Sequence, residues 1–364
     1  MDHRTITIHV KRRHARTAAW SLFGASAALK LIAQGDAMAL RRIWRVACLI
    51  LVVSGVIIGA YDPLAESVAA QPGIEIDCVD AKRERTIPVL VTLPAGEDPS
   101  PVIIFSHGLG GDRHGNRHLV DHWARRGMVV VSLQHPGSDS SLWQGQPPRQ
   151  ARRALLQAAS LEQFQHRVAD VRAVLDELEI WQENVEHPFA ARLDLERIGI
   201  AGYSFGALTA QACAGQALLR PGFAPFYDAR IHAAVLLSPT AQANGSSPQE
   251  SFAEVPIPWL LLTGSEDQGV LIPTPVEQRL AIYPALPAGG KYELVLHGAN
   301  HMGLSDRDLP GQRQRRDPHH HRLLQATSSA FWDAWLGGND DARAWLEGDG
   351  ITALLAADDR WQWK

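Results

Sequence analysis

Cysteine is scarce in this sequence, and its scarcity excludes a fold held together by disulfides. Three cysteines occur in 364 residues, and they are Cys48, Cys78 and Cys213. Small secreted scaffolds carry several cysteines at regular spacings, and these three follow no such spacing. An oxidising compartment would permit Cys78 and Cys213 to pair, but we expect two separately buried thiols.

A strong charge of one sign is also missing. The net charge is −4 at pH 7, with 20% charged and 46% hydrophobic residues. This balance argues against nucleic acid as the main partner and is ordinary for a globular protein with a sizeable core. The charge is unevenly distributed, because residues 1–45 carry nine Lys or Arg against Asp2 and Asp36, a local charge of +7.

The basic segment is followed by an uncharged run that is short for a membrane span. Residues 46–61 read VACLILVVSGVIIGAY. A span typically needs ~20 residues, whereas the core of a signal peptide has ~7–15. Together with the basic residues before it and the small residues after it, the run predicts an export signal. Cleavage is expected after Ala69 or Ala70.

The N-terminal region leaves other interpretations open. Asp62 and Glu66 lie between the apolar run and the cleavage sites, which also fits an uncleaved membrane anchor. A buried core helix fits less well, because basic residues precede the run and Pro63 follows it. Met38 is an alternative start. We therefore divide the chain into an N-terminal segment, 1–70, and a globular domain, 71–364, which we expect to be periplasmic or extracellular.

From about residue 72 onward, short apolar segments alternate with helical patterns, without internal repeats or low-complexity linkers. The first two segments are joined by the charged stretch AKRER and predict an antiparallel hairpin. The others are typical of strands buried on both faces. The alternation predicts one α/β domain with an eight-stranded, mostly parallel sheet and helices on both faces. The expected strands are 74–80, 87–93, 101–106, 128–134, 197–202, 232–238, 257–263 and 291–297.

A serine lies between two glycines where one expected strand meets an expected helix. The stretch GYSFG places Ser204 directly after the strand 197–202. Small neighbours permit a sharp turn that holds a hydroxyl clear of its surroundings. An alkyl hydroxyl is a weak nucleophile and needs a general base, which in turn needs an orienting carboxylate. In a parallel sheet, these partners are expected at the carboxyl ends of other strands.

Two other strand ends supply such partners. TGSEDQG follows the strand 257–263 and contains Glu266 and Asp267, while GANHMG follows the strand 291–297 and contains His301. The chain order Ser204, Asp267, His301 is that of nucleophile, acid and base in the α/β-hydrolases. We favour Asp267 as the acid, and Glu266 stays as the alternative because loop geometry decides which side chain faces the site.

A glycine-rich loop after the strand 101–106 completes the candidate site. The stretch FSHGLGGDRHG places Leu109 among glycines that allow close approach of the backbone to a substrate. We expect the backbone N–H groups of Leu109 and Phe205 to form an oxyanion hole, with His107 bracing the loop. Trp143, in the polar loop 137–158, is expected to line the substrate pocket.

These motifs resemble those of the α/β-hydrolase superfamily, in the dienelactone-hydrolase-like group near the platelet-activating-factor acetylhydrolases. The resemblance implies an α/β-hydrolase fold and hydrolysis of small-molecule or lipid-like carboxylic esters through a Ser-His-Asp triad and an acyl-enzyme, without a cofactor. Dienelactone hydrolases carry a cysteine where this chain has Ser204. The acetylhydrolases place the acid after the next strand, where this chain reads LLSPTA without a carboxylate. The matching stretches are FSHGLGGDRHGNRHL, QHPGSDSSLW, AGYSFGA, LLTGSEDQG and HGANHMGLSD.

Other functions remain open at this point. The triad does not distinguish esters from amides, so a peptidase or amidase on the same fold is one alternative. A catalytically inactive binding protein on this fold is another. The run His319-His320-His321 suggests a metal site, but adjacent ligands on one helix point in different directions and no cysteine or acidic cluster accompanies them. We therefore expect neither a metal nor another cofactor, and any membrane association to occur through residues 46–61.

Overall fold

The computed structural model describes residues 61–217, 226–241, 247–307 and 316–364. The expected export signal or anchor at 46–61 therefore lies outside the described residues, apart from Tyr61. In the described ranges, no helix combines the length and the apolar character needed to cross a bilayer. Residues Tyr61–Lys364 belong to one compact unit.

One sheet of nine strands forms the centre of the described structure. The strands are β1 (Ile74–Asp80), β2 (Arg85–Thr92), β3 (Ser100–Ser106), β4 (Val129–Leu133), β5 (Leu193–Tyr203), β6 (Ile231–Leu237), β7 (Trp259–Glu266), β8 (Lys291–Asn300) and β9 (Arg360–Trp363). Their order in the sheet is β1-β2-β4-β3-β5-β6-β7-β8-β9. The pairs β1/β2, β2/β4 and β8/β9 are antiparallel and the other five are parallel.

The α/β class with a mostly parallel sheet, predicted from the alternating pattern, is confirmed. The antiparallel hairpin of β1 and β2 was also expected from the sequence. The ninth strand was not expected. Its sequence, RWQW, is short and half polar, and it becomes a strand because it pairs with the edge of β8.

The sheet is buried on both faces because its central strands consist almost entirely of apolar residues. Val102 and Ile104 of β3 belong to one hydrophobic cluster, whereas Ile103 and Phe105 belong to another. Successive side chains of a strand point to opposite faces, so one cluster lies on each side of the sheet. Both faces are therefore covered, as a parallel sheet requires.

Helices cover these two faces. The longer helices are α1 (Arg117–Arg125), α2 (Pro148–Ala158), α3 (Leu161–Glu183), α4 (Phe205–Cys213), α8 (Pro318–Trp335) and α9 (Asp340–Glu347). The short ones are α5 (Pro248–Phe252), α6 (Val276–Leu280), α7 (Ile282–Ala285) and α10 (Asp349–Thr352). Residues of α3 and α4 pack in the cluster that contains Val102, and residues of α1 and α8 pack in the other.

Two sequence-based expectations about local structure have clear outcomes. Cys78 and Cys213 are free and buried, as expected, and burial raises the pKa of each thiol to about 12.

The interpretation of 137–158 as a polar loop is wrong, because α2 occupies its second half. Pro148 begins this helix, where its missing N–H costs no hydrogen bond, and Leu155 and Ala158 are buried.

Candidate active site

Ser204 lies at the sharp turn between β5 and α4. Its backbone has φ 56° and ψ −114°, a conformation that non-glycine residues rarely adopt. The flanking glycines make this turn possible, because a Cβ atom on Gly202 would lie 2.2 Å from the Gly206 carbonyl oxygen. A Cβ atom on Gly206 would lie 1.9 Å from the Ser106 carbonyl oxygen. The start of α4 therefore packs directly against the end of β3.

The structure brings the three predicted catalytic side chains together. Nε2 of His301 lies 3.0 Å from Oγ of Ser204, and Nδ1 of His301 lies 2.7 Å from Oδ1 of Asp267. Ser204 follows β5, Asp267 follows β7 and His301 follows β8. The carboxyl ends of these parallel strands share one edge of the sheet, which is why residues far apart in the sequence meet there.

The network assigns the protonation of the His301 ring. A carboxylate can only accept a hydrogen bond, so the Asp267 contact places the proton of a neutral imidazole on Nδ1. Nε2 then presents its lone pair to the Ser204 hydroxyl. The Tyr203 hydroxyl donates to the His301 carbonyl oxygen at 2.8 Å and holds the backbone of this residue in place.

Asp267 is fully buried and its carboxylate is well supplied with donors. Thr263 donates to Oδ2 at 2.9 Å, and Nε of Arg279 lies 3.1 Å from Oδ1. Burial raises the pKa of Asp267, but the hydrogen bond and charge of His301, with Arg279 and Thr263, outweigh it and hold the pKa below its usual value. The side chain of Glu266 is exposed to solvent. Geometry therefore selects Asp267 over Glu266.

Two residues of this network were missed in the sequence. Ser238 follows β6, and its hydroxyl donates to Oδ1 of Asp267 at 3.0 Å and lies 2.8 Å from Nδ1 of His301. Arg279 of α6 donates through Nε to the Asp267 carbonyl oxygen at 2.8 Å. It also donates to the carbonyl oxygens of Ser238 and Pro239, at 2.7 and 2.8 Å. Arg279 thus ties the loop after β6 to the loop after β7, and its sequence context gives no signal of this role.

The two predicted oxyanion donors lie beside Ser204. Leu109 and Phe205 both line the cavity that contains the Ser204 hydroxyl. Their backbone N–H groups have no hydrogen-bond acceptor within the described residues, whereas Gly110 N–H donates to Ser138 and Gly111 N–H to Gly108. Free N–H groups next to a nucleophile are the donors that an oxyanion hole requires.

The cavity beside Ser204 has a volume of about 1020 Å³, at the upper end of the range typical of small-molecule sites. Trp143 lines it, as expected, and its Nε1–H donates to the Gly110 carbonyl oxygen at 2.7 Å. The surface of the cavity is mostly apolar, and several aromatic and aliphatic side chains line it. They include Leu155, Leu161, Phe164, Phe205, Leu208 and Phe226.

The three adjacent histidines at the start of α8 point to separate neighbours. Nε2 of His319 lies 3.0 Å from Asp359, Nε2 of His320 lies 3.0 Å from the His297 carbonyl oxygen, and the His321 ring stacks on His118. Within the described ranges, no group of three or more His, Cys, Asp or Glu side chains is arranged to hold a metal ion.

The arrangement around Ser204 is suited to nucleophilic catalysis. A hydroxyl faces the unprotonated nitrogen of an imidazole whose other nitrogen is bound by a buried carboxylate. Free amides and an apolar cavity lie beside it. No protein-family model matches this chain, and no curated protein matches it.

Proposed function

We propose that this protein is an α/β-hydrolase-fold serine hydrolase that cleaves carboxylic esters. The observation that carries the proposal is the continuous hydrogen-bonded chain from Ser204 through His301 to the buried Asp267. The Ser204 end of this chain lines a large, mostly apolar cavity. The order of these residues in the sequence and their positions at three strand ends support the same fold.

The geometry supports the following reaction. Ser204 Oγ attacks the ester carbonyl carbon while its proton passes to Nε2 of His301, and Asp267 stabilises the imidazolium. The Leu109 and Phe205 N–H groups bind the oxyanion. The C–O bond to the leaving group breaks as His301 protonates the alcohol oxygen, which leaves an acyl-enzyme. Water, deprotonated by His301, then releases the acid and regenerates Ser204. The reaction uses ester and water and needs no cofactor.

The character of the cavity favours a small-molecule or lipid-like ester. The surface of this cavity is mostly apolar, and such a lining binds acyl chains and uncharged alcohols better than charged peptides. The export of this domain, and its association with a membrane through residues 46–61, are proposed from the basic and apolar N-terminal segments of the sequence alone.

Hydrolysis of p-nitrophenyl esters of graded acyl length by the full chain tests the proposal, with the matching p-nitroanilides measured in parallel. We expect ester hydrolysis that survives EDTA and is lost in His301→Gln. Faster cleavage of the anilides would favour an amidase. A folded wild-type protein without activity on any of these substrates would favour a binding protein.

A further inference from the structure

A buried arginine lies beneath the predicted oxyanion hole. Arg167 of α3 has no exposed surface. Its Nε donates to Oγ of Ser138 at 2.8 Å, and one terminal nitrogen donates to the His107 carbonyl oxygen at 2.8 Å. The other terminal nitrogen lies 3.0 Å from Nδ1 of His107 and 3.5 Å from the Gly108 carbonyl oxygen. Arg167 therefore binds the backbone of the loop that presents the Leu109 amide.

The same guanidinium also contacts the residue that carries the second amide. The carbon centre of the Arg167 guanidinium lies 4.6 Å from the centroid of the Phe205 ring. At this distance a cation is attracted by the face of an aromatic ring, most strongly where water is excluded. One side chain thus touches both segments from which the oxyanion N–H groups project.

The orientation of the Leu109 amide is set by the oxygen of the same peptide group. Nε2 of His107 accepts a hydrogen bond from the His135 backbone N–H at 3.0 Å, so the neutral ring carries its proton on Nδ1. Burial, with the Arg167 and His135 charges, lowers the pKa of His107 well below its usual value and keeps this ring neutral. Nδ1–H then donates to the Gly108 oxygen at 2.6 Å. Because a peptide is planar, holding this oxygen directs the Leu109 N–H the opposite way.

Burial of the charged Arg167 side chain costs free energy of folding. No carboxylate forms an ion pair with it among the described residues, since Asp170, one turn further along α3, is bound by Arg83, Arg85 and His135. Burial lowers the pKa of Arg167 to about 9, so the group stays charged at neutral pH. A buried cation without an ion pair is expensive. The loop carbonyls, two neighbouring hydroxyls, the Phe205 ring and the more distant charges of Asp170 and Asp139 offset part of that cost here.

We propose that Arg167 is a positioning residue that holds the Leu109 and Phe205 amides in register for the oxyanion. The proposal rests on the proposed function and assigns it a residue that never touches substrate. Only a planar fork can reach a loop carbonyl, the Ser138 hydroxyl and a ring face together, so lysine is not an equivalent replacement. Ground-state substrate makes few contacts with the oxyanion hole. A displaced amide should therefore raise the free energy of the transition state more than that of bound substrate.

The test compares Arg167→Lys with wild type in the full chain. We expect kcat to fall by about 10- to 100-fold with KM little changed, as for a catalytic group displaced by a fraction of an ångström. A trifluoromethyl ketone offers a second readout, because Ser204 adds to its carbonyl carbon and places the resulting oxyanion in the hole. Its inhibition constant should rise in proportion to the loss of kcat/KM.

Val174→Ala is the matched control, because Val174 is a buried residue of the same helix that packs in the core and does not line the cavity. It should lower the melting temperature without changing kcat or ketone affinity. Ser138→Ala removes one anchor of Arg167 without removing the charge, and it should lower kcat and ketone affinity several-fold. It also keeps the test decisive if Arg167→Lys does not fold.

Unchanged kcat and ketone affinity in folded Arg167→Lys, or in Ser138→Ala, would overturn the proposal. A fall in kcat without a parallel loss of ketone affinity would also overturn it, because it would point to general loosening of the site. These outcomes leave the proposed function intact. That function fails separately, if wild-type protein neither hydrolyses esters nor binds the ketone.

Discussion

The Ser238 hydroxyl donates a hydrogen bond to the Asp267 carboxylate across 3.0 Å. Ser238 directly follows β6, and Asp267 directly follows the adjacent strand β7. Both side chains therefore lie within hydrogen-bonding distance of Nδ1 of His301. The acetylhydrolases, which the sequence motifs resemble, place their acid after the strand that corresponds to β6. This chain has a hydroxyl there and the carboxylate one strand further on.

The identity of the acid leads to the first prediction. Asp267→Asn should lower kcat by about 10⁴-fold, because an amide no longer selects the ring tautomer that presents Nε2 to Ser204 or stabilises the imidazolium. Glu266→Gln is the matched control and should leave kcat within a factor of two, because its side chain is exposed. Steady-state ester hydrolysis measures both. A larger loss in Glu266→Gln would contradict the assignment.

The contact of Ser238 with His301 leads to the second prediction. Oγ of Ser238 lies 2.8 Å from Nδ1 of His301. In the Asp267→Asn background, Ser238→Asp therefore places a carboxylate next to this nitrogen. The positive φ of 55° at Ser238 is tolerated by aspartate better than by most residues. We expect the double variant to recover about tenfold in kcat over Asp267→Asn, and Ser238→Asn in the same background to recover nothing.

The part of this site that was predictable follows from strand ends. Short apolar runs identify buried strands, and residues just after such runs meet at one edge of a parallel sheet. Ser204, Asp267 and His301 were found in this way, although they are separated by more than sixty and more than thirty residues in the sequence. The choice between Glu266 and Asp267 needed the structure, since adjacent residues differ only in the direction of the loop.

The residues that support the site were not predictable. The stretch LLSPTA, which contains Ser238, was noted only for its lack of a carboxylate, because a hydroxyl in a loop carries no distinctive pattern. Arg167 and Arg279 lie on helices where arginine is ordinary, and their roles arise from burial and from carbonyl oxygens that point at them. Helix α2 was missed because five of the eleven residues of PRQARRALLQA are polar, and only Leu155 and Ala158 are buried.

Leu155 leads to the third prediction, on acyl-chain length. It lines the cavity against the oxyanion loop, where a Cβ atom on Gly110 would lie 2.7 Å from its side chain. Leu155→Ala should raise the ratio of kcat/KM for long-chain over short-chain p-nitrophenyl esters by at least about fourfold, the value of one buried methylene. Leu156→Ala, an exposed neighbour outside the lining, is the control. An equal ratio of long-chain to short-chain kcat/KM in the two variants would contradict a role of Leu155 in binding the acyl chain.

The buried ring of His135 leads to the fourth prediction, on stability. Burial and the Arg167 and Arg85 charges lower the pKa of His135 to about 4, despite its hydrogen bond with Asp170. An unfolded histidine titrates near ~6.5. Between these values the unfolded chain binds more protons than the folded one, so stability is complete above about pH 6.5 and falls as the pH falls towards 4.

Urea unfolding between pH 7 and 4.5 measures this loss, which for His135 reaches about 3 kcal/mol at its limit. His135→Gln removes the titrating ring, so the free energy of unfolding should fall less steeply with decreasing pH in the variant than in wild type. His107 and His321, whose pKa values are also lowered, still contribute to the remaining slope. Identical slopes for the two proteins would refute the prediction.

Covalent labelling tests the central claim most directly. Full-length protein is treated with a fluorophosphonate, which phosphonylates an activated serine with loss of fluoride, and is then digested and analysed by mass spectrometry. We predict one adduct, on Ser204, and none in a folded Ser204→Ala variant whose kcat is lower by a factor on the order of 10⁶. An adduct on another residue, or ester hydrolysis retained by Ser204→Ala, would contradict the account.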